Sequence, residues 1–335
     1  MNNKNKKKIG IIGGGAWGTA LGSNLCQKNR EVIIWSRNNE VVDSINLYNC
    51  NKIYLPEIVL NKNLKSTSKT EKFSNLDIII FAVPTQFIRS TINLFKKNIN
   101  KQSIIINTSK GIEKGSLLLP SEIFNHELPG STIAVLSGPT FALDVAKNLP
   151  SAITLACSNK IPNFKIGKEI SNPNFRIYHS KDVLGVEIGG ALKNIIAIAA
   201  GIINGAKLGK NAHAALISRG LVEISRFGLA IGAQTKTIMG LSGLGDLVLT
   251  CNSDQSRNFS LGNAIGQGIS VSDYLNNKKS VVEGFFTTES AVMLAEKFEL
   301  DIPIIKAVNL ILKEKQTLDE TIKDFFSRPQ KFENE

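Results

Sequence analysis

The chain has 335 residues, of which 42% are hydrophobic and 20% are charged, and its formal net charge is +12. The length favours two domains over a single core, and the composition excludes wholesale disorder. The lysines are scattered except at the N-terminus. The positive charge therefore indicates compositional bias and anionic small ligands rather than a nucleic-acid-binding surface.

The sequence also lacks the features that are typical of membrane-spanning, secreted and metal-dependent proteins. The longest uncharged apolar run, residues 195–203, is far shorter than the roughly 18 residues that span a bilayer. The basic N-terminus lacks the small-residue cleavage site of a signal peptide. Four well-separated cysteines and three histidines show neither a CxxC pair nor metal-ligand spacing. We therefore expect a cytoplasmic protein that does not span a membrane, keeps its cysteines reduced and holds no metal.

The N-terminal segment has the pattern of a dinucleotide-binding turn. Residues 8–12 (KIGII) predict a buried strand, GGGAWG follows, and a helix and a second strand at residues 32–37 come next. In this context Gly13 makes the tight turn, Gly15 lets the backbone approach a pyrophosphate, and Gly18 lets the helix pack on the strand. The free N–H groups of the helix N-terminus favour phosphate. The alternative is a glycine turn that binds no ligand.

The end of the second strand carries information about the cofactor. NAD-specific sites usually place a carboxylate there, which binds the ribose 2′-hydroxyl group. Here the residues are Ser36 and Arg37, and an arginine can bind a 2′-phosphate or stack on adenine. We therefore predict that NADPH and NADP are accepted, while NADH and NAD are not excluded.

Three further segments show a buried strand followed by a turn, at residues 76–84, 103–113 and 131–142. Two shorter segments that predict closing strands follow, at residues 151–157 and 175–180. Because ligands bind beyond the carboxyl ends of parallel strands, the three turns should gather around a nicotinamide. Lys110 is the only charged residue in these turns, and its position fits either a functional group or a solvated surface lysine.

The pattern changes after about residue 181. Residues 183–205 predict one long, almost entirely apolar core helix, with Lys193 and Asn194 at its centre. Burying an unpaired ammonium group is costly, so Lys193 either extends to solvent or is kept for chemistry. The three glycines inside this helix predict that another helix or a cofactor packs closely against it.

The remainder of the chain predicts only helices. They fall at residues 214–232, 258–268, 285–300 and 303–315, and a loose polar tail follows from residue 327. The expected fold is an α/β, Rossmann-like, doubly wound parallel sheet over residues 1–182, followed by an all-α domain over residues 183–335. The active cleft is expected between the two domains.

Residues 240–258 (GLSGLGDLVLTCNSDQSRN) combine two glycine turns with several polar side chains. Arg257 offers the planar, bidentate donor that binds a phosphate or a carboxylate well. Burial can lower the pKa of a lysine from about 10.4 to about 7–8, where it gives and takes protons, and Lys193 lies in a helix that would bury it. Asp246 could hold or orient this lysine. A turn-forming aspartate is the alternative for Asp246. The stretch predicts a site for a small anionic substrate.

Seven motifs in the chain occur in the order found in one known family. They are GGGAWG (13–18), FAVP (81–84), NTSKG (107–111), SGPT (137–140), GALKN (190–194), GLGD (243–246) and QSRN (255–258). From about residue 8 to residue 325 the chain resembles the bacterial NAD(P)-dependent glycerol-3-phosphate dehydrogenases. The resemblance implies reversible reduction of dihydroxyacetone phosphate to sn-glycerol 3-phosphate by NAD(P)H, for glycerophospholipid synthesis. Members are often dimers, so a homodimer is expected.

The resemblance also implies roles for individual residues. Lys193 matches the general acid/base lysine, and the polar groups expected around the reacting carbonyl are Lys110, Asn194, Asp246 and Thr250. The residues expected to contact the substrate are Lys110, Gly138, Thr140, Lys193, Asp246, Ser256, Arg257 and Asn258. The expected cofactor contacts are Gly13, Gly15, Ala16, Trp17, Gly18, Arg37, Lys110, Ala142, Arg257, Val281 and Glu283. Gly14-Gly15-Ala16 stands where many members carry Ala-Gly-Ser.

Two other functions remain open at this point. Another two-domain NADP-linked dehydrogenase could act on a hydroxy acid or a sugar acid, whose carboxylate Arg257 would bind equally well. A protein of a different class, a non-catalytic redox sensor, could bind NAD(P)H and a partner protein. A sensor would have no need of a buried Lys193.

Overall fold

The computed structural model of the chain describes residues 6–28, 30–158, 163–277, 281–329 and 332. The N-terminal part is built on an eight-stranded sheet of order β3-β2-β1-β4-β5-β6-β7-β8. The strands are β1 (Ile9–Ile12), β2 (Val32–Trp35), β3 (Leu64–Thr67), β4 (Ile78–Phe81), β5 (Ile104–Asn107), β6 (Thr132–Ser137), β7 (Ser151–Cys157) and β8 (Phe175–Ser180). The predicted Rossmann-like, doubly wound sheet is confirmed.

The central strands are short apolar runs that are covered on both faces. β1 (IGII) and β4 (IIIF) are fully buried and pair in parallel, with Ile9 opposite Ile78. Continuous apolar strands of this kind are typical of parallel sheets with helices on both faces. The chain order reverses between β1 and β4, so the turns that follow these two strands open into one crevice.

Helices surround the sheet, and the short helix between β6 and β7 accounts for the one antiparallel pairing. They are α1 (Ala16–Leu25), α2 (Asn39–Tyr48), α3 (Ile88–Phe95), α4 (Pro120–Glu127), α5 (Ala142–Ala146) and α6 (Asn163–Ile170). The expectation of a wholly parallel sheet is wrong at β7, which runs antiparallel to β6. The short α5 packs beside α1 at the edge where β6 ends. The chain therefore re-enters the sheet from that same edge.

Helices alone follow β8 in the described residues. They are α7 (Val183–Gly205), α8 (Gly209–Ala230), α9 (Thr235–Ile238), α10 (Asp246–Cys251), α11 (Arg257–Gly266), α12 (Val271–Asn276), α13 (Glu283–Lys297), α14 (Pro303–Leu312) and α15 (Leu318–Ser327). α7 lies at the centre and packs against α8, α10, α11, α13 and α14. Its length and composition would suffice to cross a membrane, but 94% of its most apolar window is buried inside the protein. It is the core helix that the sequence predicts.

Glycines bring α7 and α11 into backbone contact. A β-carbon added at Gly201 would lie 2.1 Å from the carbonyl oxygen of Phe259, and one added at Gly262 would lie 1.9 Å from that of Ile198. No side chain fits at such distances, since the backbone of one helix occupies the space beside the other. The close packing predicted from the glycines of residues 183–205 is therefore confirmed, and at Gly201 the neighbour is a helix.

Several elements were not predicted from the sequence, among them β3 and α2, and two segments of the helical part differ as well. Residues Leu241–Gly245 form a turn of π-helix that continues directly into α10, so the stretch expected to hold two glycine turns is largely helical. α15 was not predicted, although its N-terminus has the capping box formed by Thr317 and Glu320. The loose tail predicted from residue 327 lies mostly outside the described residues.

Candidate active site

The glycine turn after β1 has the geometry that a pyrophosphate requires. Gly13 has φ +126°, and a β-carbon at Gly18 would lie 2.0 Å from the carbonyl oxygen of Gly13. At Gly15, by contrast, an added β-carbon would meet nothing within 4 Å. α1 begins directly after Gly15 with no side-chain cap and no acidic residue in its first turn. Its free N–H groups therefore face open space, which fits a dinucleotide phosphate.

The other predicted cofactor residues lie around this turn or across the crevice from it. Ala16 and Trp17 begin α1, and Ala142 begins α5, which packs beside α1. Arg37 is exposed beyond the end of β2, with its guanidinium carbon 6.0 Å from the centre of the Phe87 ring. Val281 lies two residues before Glu283, at the start of α13. These positions are compatible with a cofactor lying across the carboxyl edge of the sheet.

A single buried carboxylate joins the two predicted active-site lysines. Asp246 is 1% exposed; its Oδ1 accepts from Lys193 Nζ at 2.6 Å and its Oδ2 from Lys110 Nζ at 2.5 Å. Lys193 Nζ also donates to Thr250 Oγ1 at 2.7 Å. Lys110 Nζ donates as well to the carbonyl oxygen of Gly138 at 3.2 Å. Three segments distant in sequence thus converge on one carboxylate.

The electrostatics of this cluster favour proton transfer by Lys193. Burial first, and the positive charge of Lys110 after it, lower the pKa of Lys193 from 10.5 to about 8, against the opposing effect of Asp246. The ammonium group of Lys193 does not reach solvent, since the residue is only 7% exposed. The interpretation of Lys193 as a lysine that extends to solvent is therefore wrong. Asp246 begins α10 rather than forming a turn.

Two asparagines, Asn194 and Asn258, form hydrogen bonds next to the lysine–carboxylate cluster. Asn194 Nδ2 donates to the carbonyl oxygen of Lys110 at 3.2 Å, and its Oδ1 accepts from Asn258 Nδ2 at 2.9 Å. Asn258 Oδ1 in turn accepts from the N–H of Gly284 at 2.9 Å. The structure brings both predicted residues to the site, with their amide groups bonded to one another and to the backbone.

The predicted phosphate site lies at the N-terminus of α11. Arg257 is its first residue and is exposed, and Ser256 caps the helix by accepting from the N–H of Phe259 at 3.2 Å. The charge of Arg257 acts on Glu283, where it lowers the carboxyl pKa. Thr140 Oγ1 donates to the carbonyl oxygen of Gly138 at 3.3 Å, the same oxygen that Lys110 contacts.

Glu283 lies in a buried polar group that sequence reasoning found only in part. Its Oε1 accepts from the N–H of Thr85 at 3.0 Å, and burial raises its pKa to about 7. Within the described residues, Glu283 Oε2 and the hydroxyls of Thr85 and Thr287 are buried without a hydrogen-bond partner. All three surround Gly111, where an added β-carbon would lie 2.8–3.1 Å from them. These buried polar atoms lie close to one another, and a bound water or a polar ligand group would satisfy them.

Sequence reasoning did not assign Thr85 and Thr287 to the site. The only available signal for Thr85 was its place in the turn after Pro84, at the carboxyl end of β4. Thr287 gives no local signal, since it lies inside α13. As for metals, the described parts of the chain contain no group of three or more His, Cys, Asp or Glu residues that could hold an ion.

A nucleotide-binding sheet facing a buried lysine–carboxylate cluster defines a class, the NAD(P)-dependent oxidoreductases. Two family profiles specify it further. The N-terminal profile of NAD-dependent glycerol-3-phosphate dehydrogenase matches residues 8–162, and the C-terminal profile matches residues 182–323. The chain belongs to the glycerol-3-phosphate dehydrogenase family. The runner-up interpretation, a dehydrogenase of hydroxy acids or sugar acids, does not agree with this membership.

Similar proteins span the whole chain. It is 43% identical over 328 residues to glycerol-3-phosphate dehydrogenase [NAD(P)+] of Novosphingobium aromaticivorans, covering 98% of both chains. It is 41% identical over 323 residues to the enzyme of the same name from Maricaulis maris, covering 96% of this chain and 97% of the other. The crystal structure of glycerol-3-phosphate dehydrogenase from Coxiella burnetii is similar with a TM-score of 0.92 and 36% identity, over 96% of this chain and 99% of the other.

Proposed function

We propose that the chain reduces dihydroxyacetone phosphate to sn-glycerol 3-phosphate, reversibly, with NADPH or NADH. The observation that carries this proposal is the bridge that Asp246 makes between Lys193 and Lys110, at 2.6 and 2.5 Å. Two ammonium groups share one carboxylate, so positive charge remains for the oxygen of a ketone as it becomes an alkoxide. The product is a precursor of glycerophospholipids.

Lys193 is the proposed proton donor. A lysine whose pKa is about 8 is still protonated at neutral pH, and it gives up its proton far more readily than an exposed lysine does. When bound, the reduced nicotinamide supplies the hydride. Asp246 and Thr250 hold the Lys193 ammonium group in place, and Lys110 adds a second positive charge beside the reacting oxygen. In the reverse direction Lys193 takes the proton from the alcohol.

Arg257 is the proposed ligand of the substrate phosphate. Its place at the start of α11 adds the N–H groups and the partial positive charge of a helix N-terminus to its guanidinium group. Ser256 and Asn258 fix the position of this helix start, through the cap on Phe259 and the bond to Asn194. Gly138 and Thr140 form the opposite side of the proposed substrate site, next to Lys110.

Residues 1–182 act as the dinucleotide-binding domain and residues 183–335 as the substrate domain, which is supported by the end of β8 at Ser180 and the start of α7 at Val183. The enzyme works in the cytoplasm, and it does so as a homodimer. Light scattering during gel filtration tests the dimer, since a mass near 36.4 kDa would show a monomer.

The experiment that tests the function compares substrates. Oxidation of NADPH is followed with dihydroxyacetone phosphate, with unphosphorylated dihydroxyacetone and with a 2-keto acid. We expect kcat/KM for the phosphorylated ketone to exceed that for dihydroxyacetone by about 10³-fold, because dihydroxyacetone offers no anion to Arg257. It should also exceed that for the 2-keto acid, whose carboxylate is bonded directly to the carbonyl carbon and so cannot reach Arg257 while the carbonyl lies at Lys193. Equal or faster turnover of the 2-keto acid would support a hydroxy-acid dehydrogenase instead.

A second measurement separates an enzyme from a redox sensor. The Lys193→Ala variant should lose turnover by about 10²–10⁴-fold, the range for a missing general acid, while its affinity for NADPH is unchanged. A variant that turns over at the wild-type rate would support the sensor.

A further inference from the structure

A buried asparagine outside the predicted site, Asn51, forms a hydrogen bond to the backbone of the glycine turn. Asn51 is 0% exposed, and its Nδ2 donates to the carbonyl oxygen of Gly14 at 3.0 Å and to Thr19 Oγ1 at 2.8 Å. Its Oδ1 accepts from the N–H of Tyr54 at 3.2 Å. We propose that Asn51 is a positioning residue for the dinucleotide: by fixing the Gly14 carbonyl, it aims the N–H of Gly15 at the cofactor pyrophosphate.

The orientation of the Gly14–Gly15 peptide group decides where the N–H of Gly15 points. The described chain contains no cis peptide bond, and in a planar trans peptide the C=O and N–H point in opposite directions. The carbonyl of Gly14 points at Asn51, so the N–H of Gly15 points away from it. On that side lies the open space at Gly15, where an added β-carbon meets nothing within 4 Å. This is the face at which α1 begins.

The turn needs such an anchor because its own residues cannot supply one. Gly13, Gly14 and Gly15 are consecutive, and a peptide between two glycines rotates more freely than any other. Without Asn51 the Gly14 carbonyl would keep only the long bond from Thr19 Oγ1 at 3.5 Å, and that hydroxyl is itself held by Asn51. The Gly14–Gly15 peptide would then be free to turn, and only one orientation offers the N–H of Gly15 to a phosphate. Fixing the orientation before the cofactor arrives lowers the entropic cost of binding.

Asn51 is itself held firmly enough to act as an anchor. The N–H of Leu55 donates to the carbonyl oxygen of Asn51 at 2.8 Å, which closes a tight turn over residues 51–55. Both side-chain amide hydrogens and the amide oxygen of Asn51 face partners within the fold. An alternative position would leave buried polar groups of the turn unpaired, which is unfavourable.

The test measures cofactor affinity apart from catalysis. The dissociation constant of NADPH is obtained from its fluorescence, together with kcat, both Michaelis constants and the melting temperature, for wild type and Asn51→Ala. The control is Asn46→Ala, which removes an asparagine that bonds to the backbone N–H and C=O of Ser66, both at 2.9 Å, away from the turn.

We expect Asn51→Ala to raise the dissociation constant of NADPH about tenfold, the effect of one lost hydrogen bond, with kcat and the KM of dihydroxyacetone phosphate within twofold of wild type. Asn46→Ala should change the melting temperature alone. An NADPH affinity within twofold of wild type, or an equal loss in Asn46→Ala, would overturn the proposal. If Asn51→Ala does not fold, Asn51→Asp decides: it keeps the bond to Tyr54 but presents an oxygen to Gly14, and it must weaken NADPH binding at least as much.

Discussion

The bridge made by Asp246 gives the sharpest test of the proposed chemistry. Asp246→Asn keeps the shape of the side chain and removes its charge, and its new amide group turns a donor toward one of the two lysines. At an effective dielectric constant of about 20, a charge pair 4 Å apart is worth about 4 kcal/mol, and these pairs are closer. Removing one partner of a buried ion pair costs about 3–5 kcal/mol of folding stability.

The same substitution should change the pH dependence in a defined direction. Asp246 raises the pKa of Lys193 against burial and against the charge of Lys110, so its loss lowers that pKa below the wild-type value of about 8. Reduction requires protonated Lys193, and wild-type activity should therefore decline as the pH rises through about 8. In Asp246→Asn the decline should begin at lower pH, and kcat at a given pH should fall about tenfold for each unit by which the pKa of Lys193 lies below that pH.

The assay is NADPH oxidation with saturating dihydroxyacetone phosphate between pH 5.5 and 10, with folding checked by circular dichroism at each pH. Asp254→Asn serves as the control, because Asp254 is exposed in the same stretch and its charge should leave the profile unchanged. A folded Asp246→Asn variant whose decline stays at the wild-type pH, or moves to higher pH, would refute the assignment of Lys193 and Asp246.

Two further predictions concern the phosphate group of the substrate and the 2′ position of the cofactor ribose. Arg257→Ala should raise the KM of dihydroxyacetone phosphate by about 10²-fold, the order expected for a charge-assisted bidentate contact, and should leave turnover of unphosphorylated dihydroxyacetone nearly unchanged. A parallel loss with both ketones would remove Arg257 from the phosphate site. Arg37→Asp should shift the ratio of kcat/KM values from NADPH toward NADH by at least tenfold, because a carboxylate repels a 2′-phosphate and binds a 2′-hydroxyl. An unchanged ratio would show that Arg37 does not contact that end of the cofactor.

The features that the sequence predicts well are local. The glycine turn follows from a strand, three spaced glycines and a helix within one short segment. Of its glycines, Gly18 packs on Gly13 within that segment, whereas Gly13 packs on Ala82 after β4 and Gly15 faces open space. α7 follows from its apolar composition alone, and its interior glycines indicate its close contact with α11. In each case the residue pattern that carries the prediction lies within one short segment, although the partner of a glycine can lie far away in sequence.

The features that the sequence does not predict depend on contacts between distant segments. The sequence predicts that Asp246 could orient Lys193, but not that the same carboxylate also bonds to Lys110. That bridge needs α7, α10 and the turn after β5 in one place. The π-helical turn at Leu241–Gly245 arises where the segment packs on α7, and glycine-rich patterns favour turns instead. β7 runs antiparallel because of where α5 packs. Asn51 acts on the glycine turn from outside it, and nothing near it in the chain indicates that contact.

The backbone contact between α7 and α11 has a consequence for selectivity. Lys193 lies on the first of these helices and Arg257 begins the second, and the glycines at positions 201 and 262 leave no room for the two to slide. This helix pair therefore fixes the backbone spacing between the proposed proton donor, Lys193, and the proposed phosphate ligand, Arg257. If Lys193 and Arg257 act as proposed, a phosphorylated ketone one carbon longer would bind Arg257 with its carbonyl displaced from Lys193, so this spacing would select for substrate length.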